Sequence, residues 1–157
     1  TPGSDERVRK VQELGADLGI NYRTQDFVEE IKKATDGRGV NVILDMVAGE
    51  YINRNLKCLA DDGRAVIIAL LGGAKATIDA GQILRRRLTV TGSTLRPRPV
   101  AFKGAIARNL RQHVWPLFAE GKIRPVVHAT FPLAQVADAH AMMDAGEQIG
   151  KIILTME

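Results

Sequence analysis

Apolar residues recur along this chain with two alternating periods, one helical and one extended, and their order predicts the elements. Val8, Val11 and Leu14 share one helical face behind Ser4, an N-cap residue followed by Asp5 and Glu6. A helix from Ser4 to Leu14 is predicted, stopped at Gly15. Leu18 to Tyr22 reads as a short strand. Asp26 opens a second helix carrying Phe27, Val28, Ile31 and Ala34, and Asp36-Gly37-Arg38-Gly39 is a turn. Val40 to Met46 is almost continuously apolar, as in a strand buried on both faces. A helix from Tyr51 to Leu59, a turn at Asp61-Asp62-Gly63 and a strand from Ala65 to Leu71 follow. Ile83 to Arg86 is a short helical piece and Leu88 to Gly92 a strand. Beyond Pro97 and Pro99 a long helix is predicted from Ala101 to Glu120, with Phe102, Ile106, Leu110, Val114 and Leu117 on its inner face. Val126 to Ala129 is extended, Leu133 to Asp144 helical, and Ile152 to Met156 a closing strand.

Strands alternating with helices point to the α/β class and a doubly wound, Rossmann-like parallel sheet with flanking helices. Ligands of such sheets bind beyond the carboxyl ends of the strands. The segments of interest are therefore Tyr22, Met46 to Gly49, Ala69 to Gly73, and Gly92 to Arg96. The usual fingerprint of that fold, Gly-x-Gly-x-x-Gly between a strand and a helix, occurs nowhere in the chain. The sequence thus reads as entering the fold near the end of its second strand, with the first strand and glycine loop missing. A hydrophobic sheet edge should then lie open or pair with something.

Composition narrows the function. The 157 residues are 45% hydrophobic and 25% charged, which suits one soluble globular domain. The formal net charge of +4 raises the question of nucleic acid. Its basic residues are dispersed among acids, however, with Arg85-Arg86-Arg87 the densest group, and aromatics are only 4%, too few for base-stacking platforms. No apolar run is long enough to span a membrane. The single cysteine, Cys58, excludes an internal disulfide and any multi-cysteine zinc site, and agrees with a reducing, cytoplasmic setting. His113, His128 and His140 have no metal-ligand neighbour at short spacing, so no metal site is expected.

Several segments, taken in order, carry a resemblance. They are Gly3-Ser4-Asp5-Glu6-Arg7, Leu14-Gly15-Ala16-Asp17, Ile20-Asn21-Tyr22-Arg23, Gly37-Arg38-Gly39-Val40 with Leu44-Asp45-Met46-Val47, Arg86 to Ser93, and Gly150-Lys151-Ile152-Ile153-Leu154. Each is weak alone, but together they span nearly the whole chain. The chain resembles the quinone oxidoreductase (zeta-crystallin-like) branch of the zinc-independent medium-chain dehydrogenase/reductase superfamily, in its distal, C-terminal part. It departs from that branch at Arg7, where many relatives carry Lys, and at Ala48, where a second Gly is common.

The resemblance implies a partial dinucleotide-binding domain over 1–157, its last helix and strand returning towards a barrel domain outside it. It implies NADPH as cofactor and hydride transfer to a quinone. An enone or enoyl reductase of the same fold, or a non-catalytic dimerising fragment, are the alternatives. Ser4 and Arg7 would grip the adenosine 2′-phosphate, with Tyr22 beside it; a helix N-terminus and a guanidinium suit a dianion. Asp5 next door keeps NADH open as well. Val47 and Ala69, Leu70 and Leu71 would flank the nicotinamide and its ribose. Lys151 would approach the cofactor. A homodimer would form through the strand Leu88 to Gly92. No catalytic side chain is named, because the cofactor carries the chemistry.

Overall fold

The computed structural model describes residues 1–156. The chain gathers into two units, Thr1–Pro97 and the stretch from Arg98 onward. In the first unit, α1 (Asp5–Glu13) starts where the cap residue places it: the Ser4 hydroxyl oxygen accepts from the Arg7 N–H at 3.3 Å. Helix α2 (Phe27–Ala34) is capped the same way, Asp26 Oδ1 accepting from the Val28 N–H at 2.8 Å. Then follow β1 (Val40–Asp45), α3 (Tyr51–Cys58), β2 (Leu59–Ile67), α4 (Ala80–Arg86) and β3 (Thr89–Gly92). The strands form one sheet in the order β1-β2-β3, every pair parallel, with helices as the connections.

Two apolar clusters hold this unit. Ile20, Phe27, Val28 and Cys58 pack together, joined by Ile31, Ile43 and Tyr51. Leu56, Leu59, Ala65 and Leu88 form the other. The open edge expected from the sequence is β1: it has only β2 beside it among the described residues, and Val42 and Leu44 are 63% and 65% exposed.

Three sequence expectations change. Leu18 to Tyr22 is not a strand. Ile20 is buried as its apolar character requires, but no described strand lies alongside to complete a ladder. Instead the Asn21 carbonyl accepts the N–H groups of Thr24 and Gln25, curling the chain into a turn. The Asp61-Asp62-Gly63 turn is present, but as a bulge inside β2: Val40 faces Leu59 while Val42 already faces Arg64. Two arginines clasp this bulge. Arg86 reaches Asp61 at 3.2 Å and the carbonyls of Leu56 and Leu59, and Arg87 forks onto Asp62 at 2.7 and 2.9 Å. Finally, β2 stops at Ile67 rather than Leu71, because the following residues leave the strand to bond with the loop after β1.

In the second unit the expected long helix is two, α5 (Val100–His113) and α6 (Trp115–Ala119). Pro116 lies in the first turn of α6, where its missing N–H does no harm, and it cannot continue α5. Strands β4 (Val127–Pro132) and β5 (Lys151–Thr155) pair in parallel, linked by a 3₁₀ turn at Leu133–Gln135 and helix α7 (Val136–Ala145). Gly146 ends α7 in the left-handed conformation.

Cys58 is 1% exposed, and burial pushes its thiol up to about 11. It is a small core residue. Native protein should leave it unmodified by a thiol reagent at neutral pH, with labelling appearing only as the domain unfolds. Rapid stoichiometric labelling of Cys58 under native conditions would contradict this.

Candidate functional site

The carboxyl ends of β1, β2 and β3 meet in a platform built almost wholly of backbone. The Ile68 N–H donates to the Asp45 carbonyl at 2.8 Å, Leu71 to Met46 at 3.2 Å, and Gly72 to Val47 at 2.6 Å. Ser93 N–H donates to the Ile67 carbonyl at 2.9 Å and carries the platform on to β3. The loop holding Val47 and the stretch from Ala69 to Leu71 are thereby tied together. Apolar side chains stand open here: Met46, Leu70 and Leu71 are 51%, 55% and 78% exposed. A cleft of about 420 Å³ reaches from Met46 and Val47 along β1 to Phe27 and Ile31.

Asp45 shapes the first loop. It is buried, and its Oδ1 accepts the N–H groups of Val47 at 2.8 Å and Ala48 at 3.0 Å. That side-chain turn supports Ala48 in the left-handed region, with φ of 59°, a conformation a non-glycine residue adopts at a cost. Among the described residues no donor reaches its Oδ2. Gly49 follows, also left-handed; a Cβ there would lie 2.4 Å from the Gly72 carbonyl oxygen. The two loops touch through glycine.

A second feature lies at the start of α1. Gly3 packs closely against Tyr22, since a Cβ on Gly3 would lie 3.0 Å from the phenolic oxygen and 3.1 Å from the ring. The Tyr22 N–H donates to the Pro2 carbonyl at 3.2 Å. Tyr22 therefore lies beside the residue that precedes the Ser4 cap, and Arg7 is in the first turn of α1, a helix N-terminus whose amides favour an anion. Sequence reasoning missed what ties the corner together. Buried Asn21 donates from Nδ2 to Asp5 Oδ1 at 2.6 Å and accepts the Arg23 N–H on its Oδ1 at 3.1 Å. Its one visible signal was an asparagine ahead of Tyr22-Arg23, where turn-forming side chains are common. Asp45, a carboxylate at a strand end ahead of a loop, had the same kind of signal and was also missed.

Lys151 lies in the other unit as the first residue of β5, opposite Val127. Among the described residues no three His, Cys, Asp or Glu side chains gather as metal ligands. Among the described residues no helix is long and apolar enough to cross a membrane.

A family model described as zinc-binding dehydrogenase matches residues 14–154. The chain belongs to that family. Bovine (Bos taurus) quinone oxidoreductase-like protein 2 is 28% identical over 166 residues, covering 99% of this chain and 44% of the relative. A 2-haloacrylate reductase from a Burkholderia species is 30% identical over 158 residues, covering 98% of this chain and 46% of the relative. Among solved structures, an NAD-dependent alcohol dehydrogenase superposes with a TM-score of 0.74 at 28% identity, over 99% of this chain and 42% of that one. The CurK enoyl reductase does so with a TM-score of 0.72 at 29% identity, over 98% and 46%. The chain spans less than half the length of these proteins. It corresponds to the cofactor-binding part of medium-chain dehydrogenase/reductase oxidoreductases, which the parallel sheet and its strand-end platform fit. Among the described residues of this chain no set of side chains fits a zinc ion: the one cysteine is in the core, and no three acids, histidines or cysteines gather.

Proposed function

We propose that this chain binds NADPH for a cytoplasmic oxidoreductase that reduces quinones. The observation carrying the reading is the start of α1, where the Ser4 hydroxyl caps the helix and Tyr22 packs against Gly3, a helix N-terminus suited to a 2′-phosphate; Arg7, in the first turn, would supply the guanidinium. The nicotinamide supplies a hydride when bound. Within this reading the chain's own residues orient and shield. The bonded loops at Val47 and at Ala69 to Leu71 hold the nicotinamide and its ribose, and the exposed side chains of Met46, Leu70 and Leu71 keep water from the ring. β3 pairs across a two-fold axis through Leu88 to Gly92, its free edge extending the sheet into a second copy. A non-catalytic, dimerising role would use that same edge.

Reduction of an activated carbon–carbon double bond is the second reading, favoured by the similarity to 2-haloacrylate reductase and CurK enoyl reductase. Both acceptors need the same cofactor corner and platform. The full-length protein should oxidise NADPH with a simple benzoquinone. Turnover with an enone but none with quinones would select the second reading, and turnover with neither would defeat both.

A further inference from the structure

We infer that Asn21 is a positioning residue that sets the protein's preference between NADPH and NADH. The inference rests on the 2′-phosphate reading of the Ser4–Arg7 corner.

Asp5 immediately follows the N-cap serine. A carboxylate there suits NADH, whose ribose 2′-hydroxyl can donate to it, and it repels a 2′-phosphate. In this chain that carboxylate is engaged by another group. Asn21 Nδ2 donates to Asp5 Oδ1 at 2.6 Å, from a side chain that is itself only 5% exposed. An amide donor on a carboxylate offsets part of its charge and fixes its direction. The same asparagine organises the turn that follows it. Its Oδ1 holds the Arg23 N–H at 3.1 Å, its own N–H donates to Gln25 Oε1 at 3.0 Å, and its carbonyl accepts from Thr24 at 3.1 Å and Gln25 at 2.9 Å. The turn so formed presents Tyr22 against Gly3 and starts Arg23 on the adjoining position. One buried side chain thus restrains the acid that disfavours a phosphate and places the turn that borders it. Its side chain is buried and its polar atoms are taken up by Asp5 and Arg23, so it acts through its neighbours rather than on the cofactor.

The test compares kcat/KM for NADPH and NADH in the full-length protein, with a fixed acceptor, for wild type, Asn21→Ala, Asp5→Asn and the double variant. Wild type is expected to prefer NADPH. Asn21→Ala should lower the NADPH/NADH ratio by about tenfold, chiefly through KM, as Asp5 is released and the turn loosens. Adding Asp5→Asn should restore part of the ratio, because the released carboxylate is gone. A merely structural role predicts a lower melting temperature with both cofactors losing equally. That outcome, or an Asn21→Ala loss that Asp5→Asn does not mend, overturns the inference while the corner itself stands. A wild-type protein with no preference for NADPH defeats the 2′-phosphate reading, and this inference with it.

Discussion

Gly49→Ala in the full-length protein is expected to cost about 100-fold in kcat/KM with either cofactor, the scale of a misplacement near 1 Å at a reacting centre. Two independent strains produce it. Gly49 has φ of 51°, which alanine adopts only at a cost of about 1 kcal/mol. More severe is the contact, because a Cβ at this position would lie 2.4 Å from the Gly72 carbonyl oxygen. The obstacle is backbone, so it cannot rotate away. The loops after β1 and β2 must separate, and the bond from Gly72 N–H to the Val47 carbonyl at 2.6 Å is the first to open. Gly73 is the control, since a Cβ there meets nothing within 4 Å. Gly73→Ala carries only its own backbone strain, at φ of 114°, and should disturb the platform less. Steady-state kinetics on both variants checks this. Equal, small effects would mean that the two loops do not form the nicotinamide platform.

Leu56→Ala should destabilise the domain by about 3 kcal/mol, the usual range for emptying a buried leucine site. Leu56 has no exposed surface and lies among Leu59, Ala65 and Leu88, between α3 and the sheet. It also borders the clasp, for its carbonyl accepts from Arg86 Nη1 at 3.0 Å. Leu71→Ala is the informative contrast. Leu71 is 78% exposed and should change stability by no more than about 0.5 kcal/mol. Denaturant titration of both variants reads the difference directly. A Leu71 variant as damaged as the Leu56 one would place that side chain in a packed core rather than on an open platform.

Local chemistry made much of this molecule legible in its sequence. Ser4 and Asp26 are caps whose side chains must find backbone N–H groups, and α1 and α2 start beside them. Val40 to Asp45 is apolar enough to be a strand wherever a neighbour exists. What escaped depended on partners distant in the chain. Leu18 to Tyr22 has a strand's composition, but a strand exists only where a ladder completes it. The Asp61-Asp62-Gly63 turn became a bulge because Arg86 and Arg87 clasp it from 25 residues away. Pro116 could have been read as a helix start, yet the apolar spacing from Phe102 to Leu117 ran straight through it. At the candidate site, Ser4 and Val47 lie at element ends that the sequence marks, whereas Tyr22, expected at a strand end, sits in a turn. Asn21 and Asp45 do not, because their roles are hydrogen bonds to residues whose placement only folding decides.

The central claim is that the start of α1 receives a 2′-phosphate. Equilibrium titration of the full-length protein and its Arg7→Glu variant with NADPH and with NADH tests it most directly. Arg7→Glu should weaken NADPH binding by tenfold or more, on the order of 1.4 kcal/mol, while NADH affinity stays within about twofold. Equal losses for the two cofactors, or none for either, would contradict it.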